Sequence, residues 1–227
     1  MSMHDPYTVK AVEYLTGLAF LLLFVLFWRY VNGERVAEQA RAWSGQLAEW
    51  FRVPEHLHFH PGHGWARTDA HDVLTLGLDD FAQQLVGRVE AVDLPRLGAV
   101  LTRGNTGWTL HADGKAVDMM APAGGTVVAV NADVKHRAEL VNQDPYGRGW
   151  LLKVRVPRVT DAVKDLVTGQ AARQWIARVS DDLMASMTPE LGHLCQDGGL
   201  PVHGIARGID DERWDEVARH FLHPPVA

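Results

Sequence analysis

Between Pro54 and Val156 the chain is cut into short β-prone runs by Gly, Pro, Asn and Asp, a rhythm that constrains its fold more than any other feature. "DVLTLGL", "GRVEAVDLP", "AVLTRG", "WTLHA", "GTVVAVNA" and "GWLLKVRVP" recur at the spacing expected of a small sandwich or barrel. Turn residues stand between them: Leu94-Pro95 with Gly98, Asp113-Gly114, Pro122 with Gly124-Gly125, and Asp144-Pro145-Tyr146-Gly147. One stretch breaks the rhythm. In "LDDFAQQLVG", Asp79 or Asp80 is placed to cap a short helix that Gly87 ends, with Phe81 and Leu85 on one side.

The N-terminal part obeys a different rule. From Ala11 to Trp28 the only charge is Glu13, and a helix of this length covers roughly the hydrocarbon thickness of a bilayer. The leading "MSMHDPYTVK" is not the basic start of a cleaved signal, and the nearest small-x-small site is Ala40-Arg41-Ala42, so the stretch reads as a single membrane anchor. Arg29, Tyr30, Arg35 and Arg41 follow it, whereas Asp5, Lys10 and Glu13 precede it. The positive-inside bias then places the large C-terminal part in the cytoplasm, on a bacterial inner membrane. After the anchor, "ERVAEQARAWSGQLAEWF" puts Val36, Ala40, Trp43, Leu47 and Trp50 at helical spacing, the pattern of an amphipathic linker helix. The expected organisation is 1–32 for the anchor, 33–53 for the linker, 54–157 for the β domain and 158–227 for a helical extension.

Charge and cysteine content exclude other classes. Lys and Arg (22) are outnumbered by Asp and Glu (28), so no concentrated basic surface is available for nucleic acid. The single Cys195 can make neither an intrachain disulfide nor a cysteine metal site, and reads as a small buried apolar residue.

Four blocks, in order, resemble the H protein of the glycine cleavage system: "HGW" (His63–Trp65), "LGLDDFAQQLVGRVEAVDLPRLG" (Leu76–Gly98), "MAPAGGTVVAVN" (Met120–Asn131) and "ELVNQDPYGRGWLLKV" (Glu139–Val154). The resemblance implies a mainly β barrel-sandwich hybrid, as in lipoyl and biotinyl carrier domains. It also implies a hairpin lysine that receives lipoate, whose swinging arm carries groups and electrons between partner enzymes.

Here the register departs from the family's. Family members read Glu-Ser-Val-Lys-Ala-Ala-Ser-Asp before the Ala-Pro block, with the modified lysine four residues ahead of the aspartate. Counting back from Asp118 lands on Gly114; Lys115 is one place late, and His111 takes the glutamate position. Asp113-Gly114 favours a type I′ turn that puts Lys115 on the descending strand, and one step along a strand turns a side chain to the opposite face. Lys115 is therefore the candidate lipoyl attachment residue and Gly114 the position that matches the family's lysine. The reading favours a solvated turn lysine and no cofactor.

In "HLHFHPGH", His56, His58, His60 and His63 alternate as on an extended strand, which makes His56, His58 and His60 weak metal candidates. Pro61-Gly62 interrupts the run, and no carboxylate or cysteine sits at ligand spacing. No Ser-His-Asp order, paired-carboxylate site or phosphate loop stands out, so the chain reads as non-catalytic.

Past Val156, two helices are expected around a break at Thr168-Gly169. A Gly-rich loop follows, and then a final helix capped by Asp210 or Asp211 with Trp214, Val217 and Phe221 on one face. The anchor, the displaced lysine and the added helices together point to a structural or assembly subunit of a membrane electron-transport complex, photosynthetic or respiratory. Its expected partners are the bilayer and other subunits. A membrane-tethered lipoyl carrier and a metal or small-ligand sensor are the competing readings.

Overall fold

The computed structural model describes residues 10, 13–30, 50–186 and 204–223. The chain divides into two compact units, 1–45 and 46–227. In the first, helix α1 (Glu13–Tyr30) has mean hydropathy 1.4 and is long and apolar enough to cross a membrane by length and composition. Phe20, Phe24 and Trp28 line one side of it at successive turns, with ring centroids 6.4 and 5.9 Å apart. The linker helix expected over 33–53 falls largely on residues 31–49, outside the described residues, as does Cys195.

The second unit is a two-sheet sandwich. Its strands are β1 (His58–Phe59), β2 (Gly64–Ala70), β3 (Val73–Leu78), β4 (Ala91–Asp93), β5 (Val100–Leu101), β6 (Thr106–Ala112), β7 (Lys115–Met120), β8 (Gly125–Val130) and β9 (Leu152–Arg155). Six of them form one sheet in the order β1-β2-β3-β9-β8-β5, and the other three form a second in the order β4-β6-β7. Every pairing is antiparallel. Register shifts at Thr68/Ala70, Thr106/Trp108 and Val127/Ala129 are the bulges that let short strands curl around one core.

Alternation explains which side chains meet there. Leu74, Leu76 and Leu78 of β3 and Leu152 and Val154 of β9 face Leu110, Val117 and Met119 of the small sheet, all buried. On the opposite face of β3, Gly77 lies across from Trp65, and a Cβ there would stand 2.6 Å from the indole ring. Only glycine leaves room for Trp65, which donates from Nε1 to the Pro145 carbonyl at 3.2 Å. Trp65, Phe59, Leu57 and Ala172 form a second small core. The corner at Gly124-Gly125 is equally close-packed: a Cβ on Gly125 would meet the Arg155 carbonyl at 2.5 Å.

The expected helix in the β region is α2 (Asp80–Val86), with Asp79 as its N-cap and Gly87 (φ 94) at its end. Short helices α3 (Ala132–His136), α4 (Leu140–Gln143) and α5 (Val159–Val163) follow. Next comes α6 (Gly169–Ser186), which buries Ala172, Ile176, Ser180 and Leu183 along one face. The break at Thr168-Gly169 is present, and Gly169 adopts φ 56.

The last two helices among the described residues are α7 (Ile205–Ile209) and α8 (Trp214–Leu222). Trp214, Ala218, Phe221 and Leu222 form the buried face of α8, with Val217 half-buried beside them. The capping expectation is corrected here. The N-cap of α8 is Arg213, without a side-chain cap; Asp210 ends α7 and accepts from the Arg213 N–H at 2.9 Å, one step short of the first turn. The stripe packs on this chain's own sandwich: Phe221 lies 5.7 Å from Phe81 of α2, and the Gly204 N–H donates to the Gln84 carbonyl at 2.8 Å.

Candidate functional site

Asp113 (φ 50) and Gly114 (φ 75) both lie in the left-handed region, as a two-residue type I′ turn between β6 and β7 requires. Ala112 pairs with Lys115, so the lysine is the first residue of β7 and the tip itself is Asp113-Gly114. A Cβ built on Gly114 meets nothing within 4 Å, so this position faces open space but carries no amine. His111, at the position where the resemblance implies glutamate, has Nε2 2.7 Å from the Asp93 carboxylate on β4. Beside it Thr109 donates to Asp118 at 2.6 Å.

Lys115 is not the freely solvated lysine that the sequence suggests. Its Nζ donates to the backbone carbonyl of Asp211, stands 3.6 Å from that residue's carboxylate, and lies 5.6 Å from the centroid of Trp214. Arg207 of α7 reaches the tip, with Nη1 2.9 Å from Asp113, and ties back to Asp211 through Nε at 2.9 Å. At the far end of α8 the His223 ring donates from Nε2 to the Asp118 carbonyl at 2.6 Å. Together α7, the 210–213 turn and α8 form a cap lying along the hairpin and α2. The cause of the correction is distance along the chain: Asp211 lies 96 residues from Lys115.

The structure does not assemble the histidine run into a ligand set. Only His58 of the three metal candidates lies in a strand, and Pro61-Gly62 turns the chain before His63. His56 is exposed. His60 accepts from the Gly62 N–H through Nδ1 at 2.9 Å. Burial, then the Arg103 charge and His63, hold the His60 imidazole down at about 4, and burial also lowers His58. Among the described residues no group of three His, Cys, Asp or Glu side chains is arranged to hold a metal.

The sequence reading gave no role to the His63–Asp79 pair. His63 is buried at φ 59, stacks on Phe81 at 4.3 Å and holds Asp79 Oδ2 through Nδ1 at 2.8 Å. The other oxygen of Asp79 accepts from the Ala82 N–H at 2.8 Å. The pair fixes α2, the floor on which the cap rests. Its signal in the sequence was a helix-capping aspartate and a histidine with no assigned partner.

A family model described as the glycine cleavage H-protein matches residues 57–179. The chain belongs to the glycine cleavage H-protein family. The H protein of Mycobacterium avium (strain 104) is 40% identical over 124 residues, which cover 53% of this chain and 94% of that relative. A probable glycine cleavage system H protein 2 of Sulfurisphaera tokodaii is 42% identical over 123 residues, 53% of this chain and 82% of the relative. The crystal structure of a glycine cleavage system H protein from Mycobacterium marinum aligns with a TM-score of 0.49 at 25% identity. That alignment covers 56% of this chain and 98% of the other. The H-protein match runs from 57 to 179, so α1 lies before it and the α7–α8 cap beyond it.

Proposed function

We propose that this H-type domain is a non-catalytic, membrane-anchored subunit that serves as a structural or assembly component of a bacterial membrane electron-transport complex. The observation that carries the reading is the hairpin. Its tip residues, Asp113 and Gly114, have no amine, and the neighbouring Lys115 is engaged by Asp211 and Trp214 of the cap. An amine that is to be acylated and then swing between sites must stand free at the turn. Lys115 is engaged by Asp211 and Trp214 and stands one residue past the tip, which supports a reading without a lipoyl group. The apolar helix α1, with Arg29 in its last turn and Arg35 and Arg41 after it in the sequence, supports an anchor with the domain on the cytoplasmic side. Tethering raises the domain's local concentration near membrane partners, so modest contacts suffice for assembly.

The competing reading, a tethered lipoyl carrier, draws on family membership and on an amine only one residue past the tip. One experiment separates the two. The native complex is purified from membranes in mild detergent, its chains are identified, and the intact mass of this one is measured. The proposal expects an unmodified mass and co-purifying membrane redox subunits. A lipoyl-amide increment on Lys115 overturns it in favour of the carrier, and a chain that purifies without membrane partners overturns the assembly role.

A further inference from the structure

Lys115 has a near twin in the same domain. Lys115 and Lys153 each leave 34% of the side chain exposed, and each is paired with an aspartate, Asp211 and Asp69 respectively. Each also sits over an indole, Trp214 at 5.6 Å and Trp150 at 5.4 Å. Their supports differ in kind. Lys153 lies in β9 and Asp69 in β2, two strands of the six-stranded sheet joined through β3, so that site opens only if the sheet does. The partners of Lys115 belong to the α7–α8 cap, which enters neither sheet. The cap is held by the burial of Ile205, Ala206, Trp214, Ala218, Phe221 and Leu222 with Ile209 and Val217 half-buried beside them, by the Arg207 and Lys115 ion pairs, and by hydrogen bonds at Gly204, His223 and from Lys115 to the Asp211 carbonyl. Against this burial stands the ordering entropy of both helices and the turn between them. Segments outside the core strands can open locally at less cost than global unfolding.

We propose that α7–α8 is a releasable cap, which detaches from the hairpin and α2 while the sandwich stays folded, so that the Lys115 amine alternates between a shielded and an open state. This goes beyond the reading above. The rate at which the amine reacts reports the cap, whereas intact mass reports a lipoyl group, so either can fail alone.

The twin lysine supplies the control. The full-length chain, made in a host unable to lipoylate and held in detergent, is treated with a limiting amount of sulfo-N-hydroxysuccinimidyl acetate. Acetylation at Lys115 and Lys153 is then followed by peptide mass spectrometry. Lys115 is expected to acetylate several-fold faster than Lys153. Arg207→Ala removes the bridge between the tip and Asp211 and is expected to speed Lys115 about fivefold, leaving Lys153 unchanged. Arg207→Lys keeps the charge without the planar fork and is expected to fall between the two, which guards against a misfolded alanine variant. Equal, slow acetylation of both lysines in all three proteins overturns the proposal. So does a parallel rise at Lys153, since that means the whole domain has opened.

Discussion

Asp79 divides its carboxylate between two buried tasks: Oδ2 holds the His63 ring at 2.8 Å, and Oδ1 accepts from the Ala82 N–H at 2.8 Å to cap α2. Asp79→Ala therefore removes a cap and leaves a buried imidazole without its partner. The expected loss is roughly 2–4 kcal/mol, about 1 from the cap and the remainder from the unsatisfied histidine. Asp79→Asn keeps an acceptor for the cap and should lose less. Urea unfolding of the two variants against the parent checks the order.

Gly77→Ala tests the packing of Trp65. A methyl group at 77 falls 2.6 Å from the indole, and Trp65 yields only by giving up its hydrogen bond to Pro145. A destabilisation of roughly 1–3 kcal/mol is expected, read as a lower urea midpoint at unchanged slope.

Acid should weaken the domain through His60. Its folded-state pKa lies near 4 and its ordinary value is 6.5, so between those limits the unfolded chain binds more protons than the folded one. The His60 contribution is fully present above about pH 6.5 and is lost as pH falls towards 4. Thermal melts at pH 7 and pH 5 should show a larger drop for the parent than for His60→Asn, which keeps an acceptor for Gly62. Equal drops would remove His60 from the account.

Removing the residues before about Asn32 should release a folded, soluble domain, because the unit 46–227 carries the whole sandwich and its core. Far-UV circular dichroism of the truncated chain decides this. A spectrum without β structure would mean that the sandwich depends on the anchor.

Gly114→Lys combined with Lys115→Ala returns a lysine to the position that matches the family's. Position 114 opens on free space, and the positive φ costs a side chain on the order of 1 kcal/mol. In a lipoylating host the double variant is expected to gain a lipoyl mass that the parent lacks. No gain would show that His111 or the cap, and not register alone, excludes the modification.

These residues also show what can be read before a structure exists. The I′ turn at Asp113-Gly114 and a helix α2 capped at Asp79 or Asp80 and ended by Gly87 were legible because both are set by backbone preferences within a few residues. Strand β1 was not. It is two residues long, paired to β2 on one side and to Val167 by exchanged backbone hydrogen bonds of Phe59 on the other, while the alternating histidines around it suggested a longer strand. The stripe on α8 revealed that the helix buries a face, but periodicity carries no address, so the hairpin as its destination and Asp211 as the partner of Lys115 stayed hidden.

The chain order of the hairpin and its cap also sets a schedule. Strands β6 and β7 leave the ribosome well before α7 and α8, an interval on the order of ten seconds at about 5–20 residues per second. A nascent chain therefore displays Lys115 without its partners until α7 and α8 have been made. Any enzyme that acts on this amine meets it on such chains before Asp211 and Trp214 can cover it.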